Sequence, residues 1–262
     1  MKHHFRIYLR LLKLNFAALT SYRANFLNNV FSSILWGSFQ MITILIITSR
    51  VTTVFGWSRN ELIFLVALLN IFVGIYHFLF SRNFERFSNV VNLGQLDSIL
   101  LKPVDSQFLL SFWLAGYANL LRIIIGVGFI YFIVKNNHIY ISFQQIIGGM
   151  CLMAIGLITL YSIWFTIMTL TIWFTKLSNL ADLMYTSNSF ARLPREAING
   201  IKDIAIYLIL PLTLIVSTPA KLLLGKPYQT DLLLLLAIAF SLFVISRKFW
   251  KFALRFYTSA SS

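Results

Sequence analysis

Between Gln144 and Thr175 the chain runs for 32 residues without one Asp, Glu, Lys or Arg. A helix needs about 20 mostly apolar residues to cross a ~30 Å hydrocarbon core, and this run exceeds that length, so it must tilt or project. Five other stretches qualify, at about 26–49, 61–80, 109–134, 201–217 and 231–248. Together they predict an all-α polytopic membrane protein with six transmembrane helices, organised as one domain over residues 1–262 with no room for a soluble one. With 58% hydrophobic and only 11% charged residues, the chain lies far from the ~25% charge of soluble domains.

The 22 basic residues against eight acidic ones give a formal charge of +14. Nucleic acid is not the implied partner, because the basic residues form short clusters between apolar runs and never a basic domain. With six spans both termini share a side, and the loops sort into two sets. Sixteen basic residues fall with the termini, including Arg82, Arg86, Lys102, Arg192, Arg195 and Arg247. Five fall on the other side: Arg50, Arg59, Lys135, Lys221 and Lys226. The positive-inside rule then places both termini in the cytoplasm of a cell membrane.

Ahead of the first span, residues 1–24 carry Phe5, Leu9, Leu12, Phe16 and Leu19 at helical spacing beside Lys2, Arg6, Arg10 and Lys13. The pattern predicts an amphipathic helix lying in the cytoplasmic interface, although the same charges also serve simply to set topology. Between the last two spans, STPAKLLLGKPYQT holds a short apolar piece between two prolines. It reads either as an external re-entrant or interfacial segment or as a plain loop with one apolar turn.

Motifs for chemistry are sparse. No G-x-x-x-x-G-K-[ST] occurs, so ATP phosphates cannot be cradled here, and any nucleotide energy must come from a partner. The four histidines have no ligand-spaced neighbour, and Cys151 is the lone cysteine, so neither a metal site nor a catalytic residue is expected. All eight carboxylates map to loops or span edges, which argues against an ion-coupled carrier with a midplane acid. Arg122 is the one charge inside a span. It either faces a polar cavity or, if the third span begins near Ala118, snorkels to the interface, the second being the plainer reading. Gly126, Gly128, Gly148, Gly149 and Gly156 read as helix-packing positions.

The loop after the second span, SRNFERFSNVVNLGQLDSILLKPVDSQF, breaks the apolar pattern. Leu93, Leu96, Ile99 and Leu100 mark a short amphipathic helix that Pro103 stops. Such a helix under the membrane either docks into a partner's groove or simply lies at the interface.

Here the residues carry a resemblance. Gly94-Gln95-Leu96-Asp97 followed by Leu100-Leu101-Lys102-Pro103 resembles the G-x-L-D-x-x-L-x-[KR]-P pattern of a six-span bacterial family of ABC-2-type permeases. Pro194, Pro211, then Thr218-Pro219-Ala220 with Leu223-Leu224-Gly225 resemble the spaced signature of its last third. Ser187-Asn188-Ser189 departs from it, standing where relatives often have a second proline.

The resemblance implies a membrane permease subunit of an ATP-driven ABC exporter, paired with a second permease chain, identical or related, and with a cytoplasmic ABC ATPase that binds the ATP. It also implies that Gly94, Leu96, Asp97, Leu100, Lys102 and Pro103 form the coupling helix on that ATPase. The apolar, aromatic character of the spans points to an amphiphilic cargo such as a lipid, peptide or drug. Two alternatives stand beside this: a non-transporting scaffold or immunity subunit, and a polytopic enzyme acting on lipids. The second lacks the acidic or histidine cluster such chemistry needs.

Overall fold

The computed structural model describes residues 2–21, 23–50, 53–174, 180–198 and 205–258. Eleven α-helices occur among them: α1 (Lys2–Ser21), α2 (Arg23–Ile47), α3 (Arg59–Tyr76), α4 (Arg82–Asn92), α5 (Leu96–Leu100), α6 (Ser106–Phe112), α7 (Leu120–Asn136), α8 (Phe143–Thr169), α9 (Leu180–Ser187), α10 (Ala205–Leu223) and α11 (Gln229–Ala253). A two-stranded hairpin, β1 (Thr53–Val54) and β2 (Trp57–Ser58), leads into α3. It marks one end of the bundle, here the hairpin end. The first and last helices both reach the opposite end, where His4 packs on Phe108 and Trp250 on Phe87.

Local chemistry sets the helix starts. Ser58 and Glu61 close a capping box on α3, and Ser142 and Gln145 close another on α8. Each satisfies two orphan amides reciprocally. From Arg59 a single helical rod continues for 34 residues to Asn92, interrupted only by a π-helical turn at His77–Ser81. The expected span at 61–80 and the loop after it are therefore one continuous element. Asn83, Phe84, Phe87, Val90 and Val91 bury the inner side of α4 and so keep the chain helical past the apolar run.

The rod is the centre of the molecule: 78% of its most apolar window is buried, against 22% for α2 and 17% for α11. Close approach to α7 depends on Gly126, where a Cβ would lie 2.6 Å from the Ala67 carbonyl oxygen. Gly156 serves α10 in the same way, facing the Ile215 carbonyl that Pro219, four residues later, cannot bond as helices do. A Cβ at Gly128 would meet nothing within 4 Å among the described residues, so no packing within this chain is seen to depend on it. The outward faces of α2 and α11 carry Leu27, Phe31, Leu35, Phe39, Leu233 and Phe240, the surface a bilayer solvates.

The third expected span, 109–134, is broken. The Asn83 side chain donates to the Leu114 carbonyl and accepts from the Leu114 amide, both at 2.8 Å. Gly116 donates to the Phe78 carbonyl at 2.9 Å, beside the π turn that loosens the ladder there. The break between α6 and α7 is thus fixed by backbone groups matched to α3 and α4.

Two other expectations change. The AKLLLG piece is the last part of α10, not a re-entrant or interfacial segment. Pro219 is absorbed inside the helix, and Gly225, at φ +68°, ends it: Gly225 donates to the Leu222 carbonyl and Lys226 to that of Lys221. Residues 201–204 of the expected fifth span lie outside the described residues, and the described helix begins at Ala205.

The stretch 180–198, read as a cytoplasmic loop, instead climbs the inside of the bundle. Tyr185 sits 5.2 Å, ring to ring, from His77, which lies about 27 Å along the rod from Arg59 at 1.5 Å per residue. Eleven residues later Glu196 accepts from the Trp57 indole at the hairpin end. Arg195 therefore leaves the termini-side set for the hairpin end, and Arg192 joins Arg122 inside the bundle. Among the described residues the basic bias is then twelve against six, still toward the termini.

Candidate functional site

Two places gather side chains that packing alone does not explain. The first is the turn-helix-turn at residues 92–107. Gly94, at φ +68°, reverses the chain after α4, donating to the Val91 carbonyl at 3.2 Å. α5 then runs for five residues. Leu96 is fully buried and anchors it, with Ile99 packed against the core.

On the outer side Leu93, Leu100 and Leu101 are exposed, Leu101 at 86%, beside exposed Pro103. Lys102 lies 4.1 Å over the Trp113 ring, a cation–π contact that holds the segment against α6. Asp97 is half-buried beside Tyr257, whose phenol is pushed up by burial and then by this carboxylate.

The segment is clamped at its far side. Asp105 caps α6, accepting from the Phe108 amide at 3.0 Å, and takes both terminal nitrogens of Arg247 on α11. Burial opposes ionisation of Asp105, but the Arg247 guanidinium and the Phe108 amide outweigh it and hold the carboxyl below its usual range. Gln107 also accepts from Arg247 and donates to the Tyr161 hydroxyl of α8. The residues that follow α5 are therefore tied to α6, α8 and α11 by Lys102, Asp105 and Gln107.

The second place is a cavity of about 770 Å³ between α2, the rod, the start of α7 and the 180–198 stretch. Arg122 lies in its wall at 6% exposure and donates to the Gln40 side chain at 3.0 Å. Gly74 and Asn119 meet just below it. The helix does begin near Ala118, yet Arg122 faces the cavity and does not snorkel outward. His77, Glu85, Tyr185 and Arg192 share this cavity.

The remaining motif positions are structural. Pro194 is buried in the climbing stretch, Pro211 and Pro219 lie inside buried α10, and Gly225 is its cap. The sequence reading did not bring Arg192, Tyr185 or Glu85 to Arg122, nor Arg247 to Asp105. A polar stripe on α2 was the available signal for the first group; for the second, an N-cap aspartate just past Pro103.

Fold and sites thus define a helical membrane protein with an exposed, leucine-bearing turn-helix-turn at its basic end, in a sequence that holds no G-x-x-x-x-G-K-[ST] motif. The description "ABC-2 family transporter protein" matches residues 34–261, and the chain belongs to that family. No curated protein and no solved structure matches it.

Proposed function

We propose that this chain is the permease subunit of an ATP-driven exporter of an amphiphilic substrate, docked through α5 onto a separate cytoplasmic ATPase. The carrying observation is the divided character of α5: Leu96 is locked into the bundle, while Leu93, Leu100 and Leu101 face outward beside Pro103. Exposed leucines at a charged, non-lipid end are costly unless a partner covers them. Family membership, the inward basic bias and the missing phosphate loop support the same reading.

Both termini and α5 then lie on the cytoplasmic side of the cell membrane. A second permease chain, identical or related, completes the transporter. ATP binding in the partner drives α5, and the clamp through Asp105 and Gln107 passes that motion to α8 and α11, shifting the pair between inward- and outward-open states. Affinity copurification in mild detergent tests this. Recovery of an ATPase with the full chain, lost in L100D/L101D with folding intact, is the expected result; equal recovery with that variant removes α5 as the docking element. ATP-driven transport in vesicles separates the exporter from a scaffold.

A further inference from the structure

α2 is apolar around most of its circumference, yet Asn25, Asn29, Ser33 and Gln40 recur at intervals of four, four and seven residues. That spacing places them on one helical face, and all four line the 770 Å³ cavity. Opposite them stand two guanidinium groups. Arg122 has only the neutral Gln40 amide as a hydrogen-bond acceptor, and its Nε has no partner among the described residues. Arg192 enters from the climbing stretch with its Nε equally unpartnered, and the two cations repel each other.

The Ser33 hydroxyl and His77 Nε2 also have no hydrogen-bond partner among the described residues. Glu85 is the one carboxylate among the lining residues. It lies exposed near the mouth with Arg82 and takes the Tyr185 hydroxyl, not an arginine. A buried guanidinium without a counter-ion is strongly unfavourable, and Arg122 shares its cavity with a second, half-buried guanidinium, Arg192, so an anion in that space would meet both.

We propose that this cavity binds the anionic group, phosphate or carboxylate, at the head of an amphiphile, with Arg122 and Arg192 as the two arms of the clamp. The apolar part has a route out. Phe26 and Trp36 line the same cavity, and Trp36 is exposed on the bilayer side, edge-on to Phe39 at 6.0 Å. Leu19, Asn25 and Glu85 place the mouth at the termini end, so the headgroup enters from that side with its tail along α2. That this amphiphile is the cargo rests on the permease reading; the anion clamp itself does not.

The test uses the full chain purified in a neutral detergent and stripped of lipid, titrated by native mass spectrometry with phosphatidylglycerol, phosphatidylcholine and inorganic phosphate. Phosphatidylglycerol is expected to bind at least ~10-fold tighter than phosphatidylcholine. R122Q and R192Q each weaken it about 10-fold or more, the factor carried by one charge-assisted hydrogen bond, while R122K keeps most of it. R192E supplies an internal anion and is expected to abolish binding while raising the melting temperature of the lipid-free chain.

Inorganic phosphate binding as tightly as phosphatidylglycerol supports the anion clamp and assigns it a free anion. Equal binding of the two lipids overturns the proposal, as does an unchanged preference in R192Q, which remains informative if R122Q does not fold. No ATPase is present in this measurement, so failure of the docking reading and failure of the clamp are separate results.

Discussion

The two ends of the bundle treat buried charge in opposite ways. At the hairpin end the buried ions Lys221 and Asp231 are paired with opposite charges. Lys221 bridges Asp231 and Glu196, Arg195 pairs with Asp231 at 3.0 Å, and Lys226 pairs with Glu61 at 2.7 Å. These bonds tie the hairpin, the climbing stretch, α10 and α11 into one closed unit. Toward the other end, Arg122 and Arg192 line an open cavity, and among the described residues Arg122 hydrogen-bonds to the neutral Gln40 amide while Glu85, near the mouth, takes the Tyr185 hydroxyl. A closed network fixes a shape, whereas unpaired cations leave electrostatic work for something that arrives from outside. On the proposed reading these would be a sealed end and a receiving end.

The contrast breaks first at Lys221. K221M leaves the carboxylate of Glu196 short of its cation and half-unpairs Asp231, which is 1% exposed. The expected loss is about 3–5 kcal/mol, read as a lower melting temperature in detergent. A drop no larger than that of K135M, at an exposed site, would falsify the idea that this end is held by its ions.

D105A removes the α6 cap and the Arg247 clamp together. Since the pair is partly exposed, solvent screening limits the loss to about 1–2 kcal/mol, and α5 should become more protease-sensitive. S142A removes one capping box from α8 and should cost about 1 kcal/mol by the same thermal assay. Smallest for stability is L101D, at under ~0.5 kcal/mol because the side chain is exposed. Its effect should appear instead as lost ATPase recovery.

Acid sharpens the comparison further. In Glu196 burial raises the carboxyl and the Lys221 and Trp57 bonds lower it, with a net depression; Asp105 is depressed as well. A depressed carboxyl contributes stability that is present above its unfolded value and lost as pH falls through the folded one. Melting temperature should therefore hold from neutral pH to about pH 5 and fall below ~4. E196Q and D105N should each flatten that fall.

The apolar runs made the spans legible, because a helix in hydrocarbon has no alternative partner for its backbone. The spacing of Leu96, Ile99 and Leu100 ahead of Pro103 likewise marked α5, since both signals are local to the backbone. The break at 113–116 was hidden because it depends on Asn83 reaching Leu114, 31 positions away. The climbing stretch was hidden for a related reason: Arg192 and Arg195 read as loop charges until Asp231 and the cavity supply their surroundings. Pro219 misled, because a proline ends a helix only where nothing else accommodates the carbonyl it frees, and Gly156 makes that room.

The continuous helical rod from Arg59 to Asn92, with its one π turn, has a mechanical meaning. At 1.5 Å per residue it is about 50 Å long, and its free tip at Leu93 lies next to the proposed docking surface. With no loop to absorb displacement, a push at that tip becomes a lever stroke. The π turn at His77–Ser81, where Gly116 and the Asn83 clasp grip the rod, begins 18 residues from Arg59 and ends 11 residues short of Asn92, and is its natural fulcrum. A small sideways step at the tip would thus swing the longer arm the opposite way, widening or narrowing the space beside Arg122.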